Sequence, residues 1–318
     1  YEAHKAATTR SHNIAIGYRA WYTNNSGGDG SVIIGSEAGR EYDGYSAITA
    51  VGRQALRYLT TGTECVAVGY WAGRDATTAA SLTAMGYNAG RRVTTGGSNT
   101  FFGRYCGRNI TTGSDNIAFG STALDQGATC SNNIAIGNSA LADSSVGDYN
   151  ISIGNRSLYA CESSKNIAIG YHAGEDLTTG TDNIFIGYEV GTAITTASST
   201  TAVGIDAGKS ITTGSYNQLF GIGTGDAITT GSNNTIVGHY AGSALTTSQD
   251  NTILGGNAGG SSSLGSGNVI VGKSAAQSNE GGNNVFIGET ANVWGSGDAS
   301  DNVGVGHAAM EDVSTGDK

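Results

Sequence analysis

The chain has 318 residues, 52 of them Gly and none Pro, with a formal charge of −10. An acidic balance with no basic stripe recurring along the chain argues against nucleic-acid and anionic-membrane partners. Apolar runs of only a few residues exclude a membrane-spanning helix.

From the N-terminus, the first patterned stretch is Asn13-Ile14-Ala15-Ile16-Gly17. Its final Gly recurs at Gly35, Gly52, Gly69, Gly86, Gly103, Gly120, Gly137, Gly154, Gly170, Gly187, Gly204, Gly221, Gly238, Gly255, Gly272, Gly288 and Gly306, giving 18 copies with a mean spacing of 17. A fixed period this short marks a solenoid, in which each coil contacts only its neighbours. Length alone allows two domains, but the unbroken period predicts a single array of about 18 coils over 1–318. Thr8-Thr9-Arg10 and Ser314-Thr315-Gly316 read as partial repeats rather than caps. The chain is therefore expected to be a segment of a longer protein with both ends uncapped.

Positions within a repeat are numbered from this Gly. Ile and Val dominate −3 and −1, as in Ile117 and Phe119 or Ile134 and Ile136. Position −2 is also apolar, from Ala15 and Ala118 to Phe101, Phe185 and Phe286. Alternate residues of a strand face opposite ways, and a strand apolar on both faces is covered on both. The size variation at −2 predicts that this face meets sister chains, while −3 and −1 fill the coil. Self-contained coils and strands interleaved among three chains both satisfy the pattern. Position +3 is Ala in 14 copies, as at a tight corner, and +4 is Gly in 10, which predicts positive φ. The second half of each coil reads apolar-Thr-Thr-Gly, as in Ile110 to Gly113, and predicts a short strand and a turn. Asn occupies −4 at Asn13, Asn99, Asn116, Asn133, Asn150, Asn166, Asn183, Asn217, Asn234, Asn251, Asn268, Asn284 and Asn302. Stacked amides bond along a column, and the exceptions Ile48, Cys65 and Leu82 are consecutive, as a ladder requires.

Asn116 to Gly120, Ala123 and Thr111-Thr112-Gly113 resemble the Asn-x-Ala-Ile-Gly and Thr-Thr-Gly repeats of phage and viral tail-fibre shafts. The chain is similar, more loosely, to the head repeats of trimeric autotransporter adhesins, which are shorter and lack the Thr-Thr-Gly half. The resemblance covers 13–316. It implies a parallel homotrimer at an extracellular or virion surface that supports host attachment and joins neighbouring fibre domains. The expected fold is all-β, a parallel β-roll or β-solenoid of about 17 residues per coil. Eighteen coils at roughly 4.8 Å each would span about 85 Å.

No catalytic, metal or cofactor motif is evident. His4, His12, His172, His239 and His307 fall in no repeated pattern. Gly-Ser-Asp-Asn at 113–116 and Gly-Thr-Asp-Asn at 180–183 read as turns, because no acid recurs at a fixed position. Cys65, Cys106, Cys130 and Cys161 occupy different columns and are expected to be unpaired structural thiols. The expected function is that of a structural fibre shaft, not an enzyme. The alternatives are an adhesin head that binds cell-surface glycan and an ice-binding solenoid. For glycan, the candidate stacking aromatics are Tyr70, Trp71, Tyr87, Tyr105, Tyr171 and Tyr240, at +1 and +2. For ice, the adjacent Thr pairs are unfavourable, since neighbouring strand residues face opposite ways.

Overall fold

The computed structural model describes residues 2–3, 12–23, 29–143, 145–260, 264–277, 281–292 and 300–310. His4 and the partial repeats at 8–10 and 314–316 lie outside the described residues. The chain divides into two compact units, Tyr1–Ser164 and Lys165–Lys318. Each consists of nine three-residue parallel strands, one per repeat, spanning −3 to −1. In the first unit these are β1 (Ile14–Ile16), β2 (Val32–Ile34), β3 (Thr49–Val51), β4 (Val66–Val68), β5 (Thr83–Met85), β6 (Thr100–Phe102), β7 (Ile117–Phe119), β8 (Ile134–Ile136) and β9 (Ile151–Ile153). In the second they are β10 (Ile167–Ile169), β11 (Ile184–Ile186), β12 (Thr201–Val203), β13 (Gln218–Phe220), β14 (Thr235–Val237), β15 (Thr252–Leu254), β16 (Val269–Val271), β17 (Val285–Ile287) and β18 (Val303–Val305). This is an all-β parallel solenoid with no helix among the described residues.

Within each unit every strand pairs with the next in sequence, column on column. Ile117, Ala118 and Phe119 lie against Ile134, Ala135 and Ile136, and Ile184, Phe185 and Ile186 lie against Thr201, Ala202 and Val203. The Ile117 N–H donates to Asn133 O and the Gly120 N–H to Phe102 O, both at 2.8 Å. The coils are therefore self-contained in one chain, which settles the alternative of interleaved chains against it for these strands.

Three left-handed positions per coil turn the backbone through its corners. The first is −5, as at Ser98, Asp115 and Asp182; the second is +2, as at Gln54, Trp71 and Tyr105; the third is +4. At +4 the φ of Gly73, Gly90 and Gly107 is 54–57°, as predicted for Gly, but Leu56, Leu124, Leu141 and Leu158 adopt 45–52° in the same place. The Gly at position 0 is a different case. Its φ is 130–144° in every coil, and a Cβ at Gly120 would stand 2.7 Å from the Gly137 carbonyl carbon, inside its oxygen. No L side chain fits both the torsion and the next coil's backbone.

The strand faces are the reverse of the sequence expectation. Position −2 points into the coil's own interior, where Ala118, Phe101, Phe185, Leu219 and Ile236 are fully buried. Positions −3 and −1 point outward: Ile117 is 40% and Phe119 39% exposed. The size variation at −2 arises from packing against +4 across the interior, not from a chain interface. Ala50, Ala118, Ala135 and Ser152 face Leu56, Leu124, Leu141 and Leu158. Ile33, Phe101, Phe185, Leu219, Ile236 and Ile253 instead stand with Gly at +4. A Cβ on Gly107 would meet the Phe101 ring at 2.6 Å, and one on Gly242 would meet Ile236 Cδ1 at 2.8 Å. Where −2 and +4 are both small, other side chains fill the space: Gly73 lies under Leu56 and Leu82 of the neighbouring coils, and Gly208 under Leu219 of the next coil and Ile211 of its own. Close packing of this kind leaves little room for exchange.

The Thr-Thr segments are not strands. The first Thr of each pair nevertheless stacks in register, its N–H and hydroxyl both donating to the carbonyl of the next coil. Thr94 donates from N to Thr111 O at 2.8 Å and from Oγ1 at 3.1 Å, and the same hydroxyl bond joins Thr195 to Thr212 and Thr212 to Thr229. The second Thr is exposed, as at Thr95 and Thr213. Cys65, Cys106, Cys130 and Cys161 are free thiols buried in the coils.

Two substitutions test this packing. Gly120→Ala is expected to destabilise by about 2 kcal/mol or more, from a strained torsion and a backbone clash. Phe101→Ala should cost about 3–5 kcal/mol, from lost transfer energy and a cavity roofed by Gly107 and Gly90. Urea unfolding of both variants against the parent measures the losses.

Candidate functional site

Two columns and one surface carry the side chains that the sequence singles out. The Asn column is internal. Asn99, Asn116, Asn133, Asn150, Asn166, Asn183, Asn217, Asn234, Asn251, Asn268, Asn284 and Asn302 are buried, and Asn13 is half-buried. The Asn99 carboxamide oxygen accepts from the N–H of Asn116 at 3.1 Å and from its side-chain amide at 3.0 Å. Asn116 Nδ2 also donates to Cys130 O at 2.8 Å, the turn carbonyl of the next coil. The same three bonds recur from Asn217 to Asn234, so each amide ties its own strand to the turn beyond it. The lapse at Ile48, Cys65 and Leu82 is handled locally. Ser31 Oγ accepts from the Ile48 N–H at 3.2 Å, and Cys65 Sγ donates to Ala79 O at 3.3 Å, where an Asn would place its amide. These residues hold the coil together and offer nothing to a ligand.

The aromatic candidates lie at the coil edge, and the first unit brings four of them together. Tyr70 stacks on Trp71 with centroids 4.7 Å apart and on Tyr87 at 5.3 Å, and Tyr87 meets Tyr105 edge-on at 5.4 Å. Tyr87 is exposed, and the other three are half-buried. In the second unit Tyr171 stacks on Tyr188 at 5.1 Å and on His172 at 3.8 Å. Tyr240 meets His239 at 4.4 Å, and its ring covers Gly223 of the preceding coil. Tyr171 and Tyr240 thus make their ring contacts within the second unit.

Beside those four rings lies a basic column that occupies only part of the array. Arg40, Arg57, Arg74, Arg91 and Arg108 stand at +5 in five consecutive coils of the first unit, and Asp125 follows them in the sixth. The backbone holds them in register. The N–H of Tyr58 donates to Arg74 O at 3.1 Å, that of Asp75 to Arg91 O at 2.9 Å, and that of Arg92 to Arg108 O at 3.0 Å. The guanidinium carbons of Arg74 and Arg91 stand 4.7 and 4.6 Å from the Trp71 ring centroid, and those of Arg104 and Arg108 stand 4.4 and 4.7 Å from that of Tyr105. Arg53 lies 5.6 Å from the Tyr70 centroid. Residues 53–108 hold seven of the chain's eleven Arg and only two acids, Glu64 and Asp75. The signal was legible as Arg at a spacing of 17 over five coils.

Acids neutralise the column only in part. Glu37 contacts Arg40 at 3.4 Å and Arg57 at 3.3 Å, Arg74 grips Asp75 at 2.6 and 3.0 Å, and Arg108 grips Asp125 at 2.9 and 2.7 Å. Burial pushes the Asp125 carboxyl up from its ordinary value, against the pull of Arg108. Burial and the charge of Arg74 hold the Arg91 guanidinium below its own. Among the described residues there is no group of three or more His, Cys, Asp or Glu arranged to hold a metal ion, and no helix is long and apolar enough to cross a membrane. A cleft of about 430 Å³ at the Arg40 end of the column is lined by Tyr22, Arg40, Glu41, Asp43 and Thr60, with both signs of charge. No family model, curated protein or solved structure matches the chain.

Asn116→Leu should lower the unfolding free energy by about 2–3 kcal/mol, because Asn99, Asn133 and the Cys130 carbonyl lose partners while Leu itself fits the column at Leu82. Urea denaturation reads the loss. The buried thiols give a pH signature. Burial pushes Cys65 to about 11 and Cys106 and Cys130 to about 12, from an ordinary 9.0. An unfolded thiol loses its proton near 9 while the folded one keeps it. Their contribution to stability is therefore complete below pH 9 and lost as pH rises from 9 toward 11. Thermal midpoints across pH 7–11 should fall only in that upper window, and a thiol reagent at pH 8 should label these three Cys only on unfolding.

Proposed function

We propose that this chain is a structural shaft segment of an extracellular or virion fibre, assembled as a parallel homotrimer through the −3/−1 face of its strands. The carrying observation is that outward stripe. In the first unit it includes Ile14, Ile16, Val66, Ile117, Phe119 and Ile136, and in the second Ile169, Ile186, Phe220, Leu254, Val269 and Ile287, all exposed. Phe102 and Phe119 stack along it at 4.9 Å. A parallel sheet ordinarily has both faces covered, and a contiguous apolar stripe on a surface marks a partner. Two further copies of the same stripe supply a cover of matching period, since every coil presents the same columns at the same rise. Host attachment, the joining of neighbouring fibre domains and an extracellular or virion location belong to this reading. Within each unit the backbone ladder joins every coil to the next and Asn and Thr ladders reinforce most of these joints, which suits a load-bearing element.

A second reading, a head that binds cell-surface glycan, draws on the Tyr70, Trp71, Tyr87 and Tyr105 cluster. The ice-binding reading loses ground, because the first Thr hydroxyl of each pair is spent on the next coil's carbonyl.

Sedimentation equilibrium tests the assembly. The expected mass is three times 32.1 kDa, and Phe119→Asp with Ile136→Asp should reduce it to one chain without loss of the β signal. A monomeric parent protein would overturn the homotrimer.

A further inference from the structure

We propose that the arginine column of the first unit, with the aromatic rings beside it, binds an acidic oligosaccharide bearing sulfate or carboxylate groups. The proposal stands apart from the fibre reading, since it needs only the coils from Gly35 to Asp125.

Five like charges stacked coil upon coil repel one another, and nearby acids relieve this only in part. Any uncharged side chain at +5 would satisfy the solenoid, as Ala142 and Ser243 do in other coils. Glu37, Asp75 and Asp125 offset part of the charge, but Arg91 lies between Arg74 and Arg108 in the column, with Arg92 beside it. Asp75, the acid whose charge reaches Arg91, is already gripped by Arg74 through two bonds. A repulsive column whose charge is only partly neutralised is stabilised by a ligand that brings further anions.

The geometry selects the ligand class. Guanidinium groups bind sulfate and carboxylate through paired N–H donors. Successive Arg stand one coil rise apart, about 4.8 Å, so anionic groups carried on successive sugars of an extended chain meet successive Arg. The Tyr70, Trp71, Tyr87 and Tyr105 rings lie alongside, where the apolar faces of sugar rings stack. The Arg74 and Arg91 guanidinium groups both lie against the Trp71 ring, which places aromatic surface and two cations within one contact surface. The column ends at Asp125, and the chain's overall charge of −10 opposes a polyanion that extends beyond it. A short acidic saccharide fits those bounds better than a nucleic acid.

The test uses the whole chain, with a fluorescently labelled heparin-derived octasaccharide as the probe and a neutral maltooctaose as its comparison, at about 50 mM salt. The expected result is saturable binding of the octasaccharide, at least tenfold tighter than maltooctaose, with a change in Trp fluorescence. Arg91→Gln with Arg92→Gln should weaken binding at least tenfold, and Lys209→Gln in the second unit should leave it unchanged. Without ligand the double variant should melt no lower than the parent, because a repulsion has been removed. The octasaccharide should raise the parent's midpoint and not the variant's. Equal affinity for the neutral sugar, undiminished binding by the double variant, or tighter binding of a single-stranded DNA of equal charge would each overturn the assignment.

Discussion

The close approach of successive coils at the position-0 Gly governs the rest of the molecule. A φ of 130–144° and a backbone neighbour standing where a Cβ would go admit one residue type, and all 18 repeats carry it. With that corner pinned, a coil cannot slide relative to the next. Each strand then pairs column on column, and the register of the short three-residue strands, weak in isolation, is set from outside them. Spacings of 16, 17 or 18 are tolerated because the differences fall in the turns, while the Asn-to-Gly stretch keeps its length.

Once the columns are in register, side chains act as lines rather than points. The Asn line supplies each coil with an acceptor for the following backbone N–H and a donor for the following turn. The first-Thr line adds a hydroxyl donor to the carbonyl of the next coil. A buried amide in such a line depends on its neighbours: the run from Ser31 to Leu82 departs together, and the single departure at Thr200 still donates its N–H to Asn183 Oδ1. The interior follows a volume rule across the coil. Leu at +4 stands with Ala or Ser at −2, Gly at +4 admits Phe, Ile or Leu at −2, and doubly small coils are filled by other side chains, partly from neighbouring coils. A single enlarged residue would need a compensating change six positions along the same coil or one coil away.

The surface uses the same stacking for other ends. It draws the outward Ile, Val and Phe into a stripe, gathers aromatic edges into a four-ring cluster, and sets five Arg one above another. The last is unfavourable by itself, and its persistence in a chain so rich in neutral alternatives at +5 points to a ligand rather than to the fold. A reading of composition hides it, because an acidic total says nothing about where seven Arg fall.

By itself the sequence determined the period, the parallel β-solenoid, the amide ladder and the positive φ of Gly at +4, since each rests on a residue type recurring at a fixed offset. It could not decide which strand face turns inward. Alternation separates two faces, but here both are apolar, and hydrophobicity ranks neither above the other. The tertiary structure decided it through the path of the chain after Gly120, which folds back so that Leu124 closes over Ala118. Pairing −2 with +4 in that way leaves Ile117 and Phe119 outside. The same return path brings Arg74 and Arg91 to one ring, that of Trp71, a proximity of residues from different coils that only the stack creates.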